Sequence, residues 1–283
     1  MSDKIALYMG VLIDGVIEWW QLGEFMIVDV DGYTLNLADE SIKLQQSRVL
    51  TKKVFTKGSL YTDALKWFLI TSNLIKFDIQ QSDLVLQADI IIDDSKSKLA
   101  WFNHIADQIN YTHLHVSNDG YFTSKKYQEP RFDKVTNEYK SDRYSVISSI
   151  EGKVDYWNVP NVFKRTVSRG DLPPLTSIYI NDSPTSSFST TSRGFEIADI
   201  DTVDLISTQE ELDLLVSRIA LKAQQVEEVV KIQTINMPTH SIYDIIQLED
   251  NLFEEVSYSI DLSNNGMMTH YLRRVVYGFA GTK

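Results

Sequence analysis

Short runs of apolar residues, separated by turn signals, fill the N-terminal part of the chain. Ile5–Ile13 and Val16–Trp20 flank Asp14–Gly15, a dipeptide typical of the type I′ turn in a two-residue β-hairpin. Two further runs, Phe25–Val30 and Tyr33–Leu37, follow at similar spacing. Short strands with regular turn signals are typical of antiparallel sandwiches and barrels, so this part is predicted to be β-structure.

Further along the chain the apolar period lengthens to that of a helix. Thr62–Asn73 and Lys98–Asn110 each place their apolar side chains along one stripe. Thr62 and Ser97 are the expected N-caps, because a hydroxyl oxygen there can accept a backbone N–H of the first turn. A hairpin signal closes the segment. Residues 59–124 are therefore predicted to form a small α/β module that interrupts the β-domain.

The stretch Asn158–Leu248 combines strand, loop and helix patterns. A strand pattern at Asn158–Ser168 is followed by a Ser/Thr-rich loop over Ser183–Ser192. An amphipathic helix follows, and S-T-Q-E at its start predicts a capping box of Ser207 with Glu210. The other strand patterns in this half are Arg143–Ile150 and Lys153–Trp157 around a Glu151–Gly152 turn signal, Val226–Thr234, Tyr243–Leu248, Glu254–Leu262 and Met267–Tyr277.

Composition narrows the classes of function. The 283 residues include no cysteine, which excludes disulfides, cysteine nucleophiles and thiolate-bound metals. A formal net charge of −12 argues against binding through the nucleic-acid backbone, which needs a positive field. The basic segment Phe163–Arg169 is interpreted as one face of a polar strand, with a nucleic-acid-binding patch as the alternative. Since the sequence has no signal-peptide pattern and no apolar run of membrane-spanning length, a soluble, unexported protein is expected.

Motifs for catalysis do not occur in the sequence, which has neither a Gly-x-Ser-x-Gly elbow nor a glycine-rich phosphate loop. His113 and His115 have metal-binding spacing, because residues i and i+2 of a strand share a face, and His104 or Asp119 could add a ligand. A solvent-facing pair of strand histidines is the alternative. Paired carboxylates such as Asp93–Asp94 are explained by turns and helix caps. No catalytic residue and no cofactor is predicted.

Aromatic side chains near strands and turns are the candidates for a subunit interface. Exposed aromatics often anchor interfaces, and sheet edges need closure, cover or a partner. Two of the candidates are adjacent in a strand and must face opposite sides of the sheet. Core packing is the alternative for each of them. The candidates are Trp19, Trp20, Tyr33, Tyr179 and Phe188.

Four segments, in their order along the chain, carry a resemblance to a known family. They are the G-x-F-x-I strand Gly23–Ile27, the strand start Val159–Val162, the loop from Asp182 to Arg193–Gly194, and the strand and corner over Val229–Ile246. Together with the α/β module they resemble the baseplate hub proteins of tailed bacteriophages, a family that also serves contractile injection systems. Tyr243 stands where that family usually has a glycine. The matching positions are Gly23, Phe25, Pro160, Asn161, Ser183, Pro184, Arg193, Gly194, Pro238 and Asp244.

The resemblance implies an α+β fold, mainly β, with two related β-barrel, tube-like domains that are each interrupted by a small α/β insertion. Residues 1–58 would begin the first barrel and residues 125–157 would complete it around the insertion at 59–124. Residues 158–283 would form the second barrel, with an insertion at about 183–225. Hub proteins usually have more β-structure before the first motif, so either the first barrel is trimmed or the sequence is a fragment.

The resemblance also implies a function. It implies a structural, non-enzymatic, homotrimeric hub in the virion tail tip or baseplate, assembled in the cytoplasm of the bacterial host. The ring would join the sixfold tail tube to a threefold tip and let DNA pass. Its partners would be its own copies, the distal tail protein, the tape-measure protein and tip or fibre proteins, with no membrane and no specific nucleic-acid binding. The alternatives are a cell-wall-degrading or glycan-binding tail-tip module, and the hub of a contractile secretion or injection system.

Overall fold

The fold is mainly β-structure with helices, which confirms the broad fold class. The computed structural model describes residues 4–128, 134–140, 147–154, 158–169, 172–184, 186–203, 206, 208–225, 228–263 and 265–275. The chain divides into two compact units, Met1–Gln128 (unit 1) and Glu129–Lys283 (unit 2), each with its own sheets and buried apolar residues. The closure of these sheets into two barrels, and the predicted barrel boundaries, stay predictions.

Unit 1 opens with a three-stranded antiparallel sheet in the order β1-β2-β3, called here the hairpin sheet. Its strands are β1 (Lys4–Ile13), β2 (Val16–Asp31) and β3 (Thr34–Ala38). Asp14 and Gly15, with φ values of 50° and 81°, connect the first two strands. Positive φ at both central residues defines the type I′ turn, so this hairpin prediction is confirmed.

β2 is one strand of 16 residues, so the prediction of two shorter strands is wrong. The break expected after Trp20 does not occur, because Gly23 pairs with Leu7 of β1 and a β-bulge beside this pair absorbs the extra residue. Gly23 is buried, and a side chain at this position would overlap the ring of Phe25. Close packing therefore explains the glycine and the phenylalanine of the G-x-F-x-I motif.

The rest of unit 1 is an α/β module with its own core. β4 pairs with β6, and β5 and β8 are parallel neighbours in a second small sheet that also contains β7. Leu65, Phe68, Phe102 and Ile105 are fully buried where α2 packs on α3. The elements are α1 (Ile42–Gln46), β4 (Lys53–Phe55), α2 (Tyr61–Ile70), β5 (Phe77–Ile79), β6 (Ile90–Ile92), α3 (Lys98–Gln108), β7 (His115–Val116) and β8 (Phe122–Ser124).

The starts of the two main helices of the module differ. The Ser97 hydroxyl oxygen accepts the N–H of Ala100 at 3.2 Å, which confirms Ser97 as the N-cap of α3. The prediction that Thr62 caps α2 is wrong, because the helix begins before it and Leu60 stands at the cap position. Thr62 is buried inside the first turn, where its hydroxyl oxygen accepts the side-chain amide of Gln81.

Unit 2 is built around a six-stranded sheet in the order β10-β14-β17-β16-β15-β9, in which the β15–β9 pair alone is parallel. Its apolar core includes Ile232, Ile246, Phe253 and Leu272. The elements of unit 2 are β9 (Asn137–Tyr139), β10 (Ile147–Val154), β11 (Val162–Arg169), β12 (Leu172–Ile180), α4 (Thr190–Arg193), β13 (Ala198–Thr202), α5 (Gln209–Gln225), β14 (Glu228–Ile235), β15 (Ile245–Leu248), β16 (Asn251–Ile260) and β17 (Met267–Arg274).

The turn predicted at Glu151–Gly152 is wrong, because β10 runs through it. Both residues pair with β14, opposite Lys231 and Val230. A central antiparallel neighbour thus outweighs the local turn preference of a Glu–Gly pair. The second half of the other strand predicted here, residues 155–157, lies outside the described residues.

A second sheet of unit 2 has the order β12-β11-β13, with β11 antiparallel to β12 and parallel to β13. α5 packs across β11 and β12 and buries Leu212, Leu215 and Val216 in one cluster with Phe163 and Val167. The predicted amphipathic helix is therefore confirmed. In the part of the chain that the structure describes, no helix is both long and apolar enough to cross a bilayer.

α5 begins later than predicted. The Thr208 hydroxyl oxygen accepts the N–H of Glu211 at 3.2 Å, and the Glu211 carboxylate accepts the N–H of Thr208 at 3.4 Å. This reciprocal pair is a capping box, shifted by one position from the predicted Ser207 and Glu210. Ser207 itself lies outside the described residues.

Candidate functional site

One face of the N-terminal hairpin is apolar and exposed. Tyr8, Leu12, Ile17 and Trp19 have 51%, 70%, 55% and 66% of their surface exposed. Leu12 pairs with Ile17 and Gly10 with Trp19 across β1 and β2, so these side chains share one side of the sheet. Ile17 and Trp19 lie directly over Gly10. We call the surface formed by Tyr8, Leu12, Ile17 and Trp19 the hairpin face.

The other predicted interface aromatics lie in different surroundings. Trp20 is half-buried and faces the opposite side of the sheet from its neighbour, as expected for a strand. Tyr33 is fully exposed in the turn between β2 and β3, and Tyr179 on β12 is partly exposed. Phe188 is buried within unit 2. A role in an interface stays a prediction for the exposed members of this set.

Asn161, a family-motif position, ties the start of β11 to two other segments. Its side-chain oxygen accepts the N–H of Ile197 at 2.7 Å, and its side-chain amide donates to the carbonyl of Phe195 at 3.0 Å. Its backbone carbonyl accepts the N–H of Asn181 at 2.8 Å. Because Asn161 is fully buried, these bonds hold both ends of the Ser/Thr-rich loop in place.

Arg193 and Gly194 hold the far end of this loop. The Arg193 guanidinium donates to the carbonyl of Val159 at 2.7 Å and lies over the Phe188 ring at 4.7 Å. Gly194 has φ 73° and ends α4 by donating its N–H to the carbonyl of Thr190. The Arg–Gly motif is thus explained by loop geometry.

The remaining motif positions of this loop are less constrained. Pro160 and Ser183 are half-buried, and Pro184 is exposed. The N–H of Ser183 donates to the side-chain oxygen of Asn181 at 3.3 Å, an Asx-type turn. The bonds of Asn161, Arg193 and Gly194 fix the two ends of the loop, so the loop motif as a whole marks a segment that determines the fold.

The corner after β14 places a tyrosine where the family pattern has a glycine. Tyr243 has φ 71°, the left-handed conformation that favours glycine. Its N–H donates to the carbonyl of Glu255, and the N–H of Glu255 donates to the carbonyl of Asp244, both at 2.9 Å. The glycine-type turn is thus retained despite the tyrosine, because two backbone bonds fix the corner to β16. Pro238, before the corner, is buried.

Two histidines and a glutamate form a buried network next to this corner. His240 Nδ1 lies 2.6 Å from one carboxylate oxygen of Glu255, and His270 Nδ1 lies 2.5 Å from the other. All three side chains have no exposed surface. His240 Nε2 lies 2.7 Å from the hydroxyl of Tyr139, and His270 Nε2 lies 2.9 Å from that of Thr234. We call His240, Glu255 and His270 the His–Glu–His network.

Glu255 is held in its ionised form. Burial alone raises the pKa of its carboxyl, but hydrogen bonds and charge interactions with His240 and His270 outweigh burial and lower the pKa below 4.5. Burial raises the pKa of Tyr139 to about 12, so its hydroxyl is a protonated donor at neutral pH. Burial also raises the pKa of Asp244.

Hydrogen bonds, not metal coordination, account for the dimensions of the network. Within the described residues it is the one group of three potential ligands whose ligand atoms all lie within 4.8 Å of one another. Zinc ligands at about 2.0–2.2 Å in a tetrahedral arrangement lie about 3.3 Å apart. The Nδ1–oxygen distances of 2.5 and 2.6 Å are too short for two ligands of one ion. They fit short, charge-assisted hydrogen bonds.

The predicted metal candidates His113 and His115 have other partners. His113 Nε2 lies 3.2 Å from the carboxylate of Asp107, and His115 Nδ1 lies 3.1 Å from the carbonyl of His113. His104 lies against the indole of Trp101 in its own helix. Among the residues described, no third ligand joins the pair in a group of metal-binding dimensions. Metal binding here stays a prediction.

Sequence reasoning missed the His–Glu–His network, although β17 carries a signal for it. His270 alternates with Met268 and Leu272, both fully buried. A histidine at an apolar-face position of a central strand indicates a polar partner inside the core. Its partners Glu255 and His240 are distant in sequence, so the identity of the network requires the fold.

The solved structures that this fold resembles include two tail proteins and a secretion-system component. The tail protein from Neisseria meningitidis MC58 matches with a TM-score of 0.68 and 14% identity, over 96% of this chain and 88% of that chain. The prophage MuSo2 43 kDa tail protein from Shewanella oneidensis matches with a TM-score of 0.65 and 10% identity, over 96% and 90%. The E. coli c3393 protein, a type VI secretion system component with structural similarity to the T4 bacteriophage tail proteins gp27 and gp5, matches with a TM-score of 0.51 and 6% identity, over 95% and 64%.

By sequence, no family model and no curated protein matches the chain. The structural matches cover nearly the whole chain at low identity, so they establish the fold. The resemblance to phage tail hub proteins is confirmed at the level of fold.

Proposed function

We propose that the chain is a structural, non-enzymatic subunit of a bacteriophage tail, a baseplate hub that assembles as a homotrimeric ring. The ring would join the sixfold tail tube and the distal tail protein to a threefold tip, and would let DNA pass. The observation that carries this proposal is the exposed hairpin face on a tail-protein fold. Monomeric proteins rarely expose such contiguous apolar surface, which is typical of interaction sites.

The edges of the hairpin sheet support assembly as well. β1 is an edge strand of ten residues, and β3 pairs with β2 only from Met26 to Asp31. Within the described sheets, the other half of β2 therefore has a neighbour on one side only. Long, apolar strand edges pair readily with another chain, and ring closure would cover them.

The net charge supports a channel for DNA. At −12, the chain is strongly acidic, and an acidic inner wall would repel phosphate and prevent adhesion of the passing genome. A ring whose inner wall is basic would contradict this part of the proposal.

Light scattering and negative-stain imaging of purified protein test the ring. The wild-type chain is expected to form trimers with a central hole, and the double variant Ile17→Ser, Trp19→Ser is expected to remain monomeric. Leu214→Ser is the matched control, because Leu214 is 65% exposed on α5 and is not one of the residues of the hairpin face. A wild-type protein that stays monomeric at high concentration, without rings, would contradict the proposal.

The match to a type VI secretion component makes the hub of a contractile injection system the second candidate. Neighbouring genes for tape-measure and distal tail proteins would favour the phage tail. Hydrolysis of cell-wall glycan that is lost in a single Asp or Glu variant would replace both candidates with an enzyme.

A further inference from the structure

One side of the sheet formed by β12, β11 and β13 faces away from α5. Phe163 and Val167 of β11 pack against α5, so the residues that alternate with them lie on the other side of the sheet. Cross-strand pairing places the partners of these residues on that same side. We call it the open sheet face. Its members are Val162, Lys164 and Thr166 of β11, Thr176, Ile178 and Ile180 of β12, and Ala198, Ile200 and Thr202 of β13.

The open sheet face is largely apolar and has one cation at its centre. Lys164 lies between Ile178 and Ile200, which have 56% and 66% of their surface exposed. The next cation of β11, Arg165, lies on the α5 side and donates to the Asp199 carboxylate at 2.8 Å. No described residue forms a hydrogen bond or an ion pair with the Lys164 ammonium group. A partner that covers this face would bury the ammonium group, so it must bring a carboxylate among apolar side chains.

The N-terminal hairpin presents a surface of this kind on the side opposite to the hairpin face. Glu18 of β2 pairs with Val11 of β1, and the next pair toward the turn on the same side is Ile13 with Val16. Val16 is 63% exposed, and Ile13 and Glu18 are exposed as well. No described residue binds the Glu18 carboxylate through a hydrogen bond or an ion pair. We call the surface formed by Val11, Ile13, Val16 and Glu18 the reverse hairpin face.

We propose that the reverse hairpin face of one copy packs on the open sheet face of the next copy, with the Glu18 carboxylate bound to the Lys164 ammonium group. This inference rests on the proposed ring and names one contact between its subunits. Sheets pack face to face at about 10 Å, a distance at which the apolar side chains of both faces surround the ion pair. The two faces are different patches of one chain, so the contact is head-to-tail, the type that closes into rings. The hairpin face lies on the other side of the same strands and remains available for a second contact.

Charge complementarity makes a second copy the partner and also gives the contact a distinctive response to substitution. Removal of one charge from an ion pair inside an apolar contact leaves the other charge buried without a partner. Reversal of one charge is more unfavourable still, because it brings two like charges together. Reversal of both charges restores the attraction in the opposite sense. The response to the two single reversals and to their combination therefore identifies the contact.

Light scattering of the full chain over a range of concentrations tests the ion pair. We expect Glu18→Lys and Lys164→Glu each to raise the concentration at which half of the protein is assembled at least about tenfold. The double variant is expected to return this concentration close to the wild-type value. Lys57→Glu is the matched control, because Lys57 is exposed, belongs to neither face, and its substitution changes the net charge as Lys164→Glu does.

The outcomes separate this contact from the ring itself. Rings that persist unchanged in both single variants would overturn the contact and leave the proposed ring intact. A double variant as defective as the single variants would overturn the contact as well. A monomeric wild type would contradict the ring, and this contact with it.

Crosslinking of the wild-type protein decides the question if a variant does not fold. A carbodiimide joins a carboxylate to an amine without a spacer, so it links only groups that are in contact. Rings are assembled from equal amounts of unlabelled and nitrogen-15-labelled protein, treated with carbodiimide and analysed by mass spectrometry. We expect a product that joins Glu18 to Lys164, including molecules in which the two peptides carry different labels. Assembled rings without this product, or a product whose two peptides always share one label, would overturn the proposal.

Discussion

In the hairpin sheet, the apolar side chains of Leu12 and Trp19 face outward. In the six-stranded sheet, the polar side chains of Glu255 and His270 face inward and have no exposed surface. Both arrangements are unfavourable unless each group has a partner. The polar groups find theirs within unit 2, whereas the hairpin face offers its apolar surface to another molecule in the proposed ring. One sheet is thus stabilised by its own chain and the other is suited to assembly.

The largest expected effect comes from removing the carboxylate of the six-stranded sheet. Glu255→Gln removes a buried negative charge and leaves the two Nδ1 contacts with one acceptor oxygen instead of two. We expect it to lower the free energy of unfolding by about 3–5 kcal/mol. Urea unfolding followed by circular dichroism measures this. Glu196→Gln, an exposed control, should change it by less than about 0.5 kcal/mol. Equal losses in the two variants would contradict the buried charge network.

Truncation of one isoleucine in each sheet sharpens the comparison. Ile232→Ala removes a fully buried side chain and is expected to cost about 2–5 kcal/mol. Ile17→Ala on the hairpin face should change the unfolding free energy of the monomer by less than about 0.5 kcal/mol. Denaturant unfolding at a concentration without assembly checks both values. A large loss at Ile17 would show that the hairpin face packs inside its own chain.

A fall in pH should reduce the stability that Glu255 gives to the six-stranded sheet more than the stability that Glu24 gives to the hairpin sheet. The pKa of Glu255 is lowered although burial opposes this, so its stabilisation is complete above pH 4.5 and is lost as the pH falls through its folded-state pKa. The pKa of Glu24 in β2 is lowered mainly by a hydrogen bond from Lys76, but this pair is partly exposed and is screened by salt. Glu255→Gln should therefore reduce the acid dependence of stability more than Glu24→Gln, most clearly at high salt. A reversed order in pH titrations of stability would contradict this.

The smallest change in stability is expected for substitutions of Tyr243, in the corner after β14. Tyr243 holds a positive φ, and Tyr243→Gly relieves this strain while it removes a half-buried side chain. The two effects oppose each other, so the unfolding free energy should change by less than about 1 kcal/mol. Tyr243→Val should cost more than Tyr243→Gly, because β-branched residues tolerate this conformation least. Thermal unfolding of the two variants checks the order.

Local patterns predicted the parts of the fold that depend on neighbouring residues. The hairpin at Asp14–Gly15, the Ser97 cap and the apolar stripe of α5 all follow from short-range spacing, and all are confirmed. β12 was missed because Pro173 and Pro174 argue against a strand. Proline is tolerated there because β12 lies at the edge of its sheet. β13 was missed because its parallel pairing with β11 is set by tertiary structure.

The hairpin face and the His–Glu–His network also differ in how far short-range sequence patterns predict them. The hairpin face could be predicted in part, since Trp19 follows from strand alternation. The His–Glu–His network could not, because its members meet only when β14, β16 and β17 are aligned. Strand alternation marks His270 as inward-facing, but no short-range signal identifies Glu255 as its partner.

The strand order of the six-stranded sheet also determines when the sheet can form during synthesis. Among the six strands of this sheet, β9 and β10 leave the ribosome first. They pair with β15 and β14, which follow much later in the chain. β17 lies between β14 and β16 and is the last of the six strands of this sheet to be made. Ribosomes add about 5–20 residues per second, so β9 and β10 remain without partners for several seconds. Any product that ends before β17 would leave β14 and β16 with unpaired edges, so synthesis of β17 is a condition for forming this sheet.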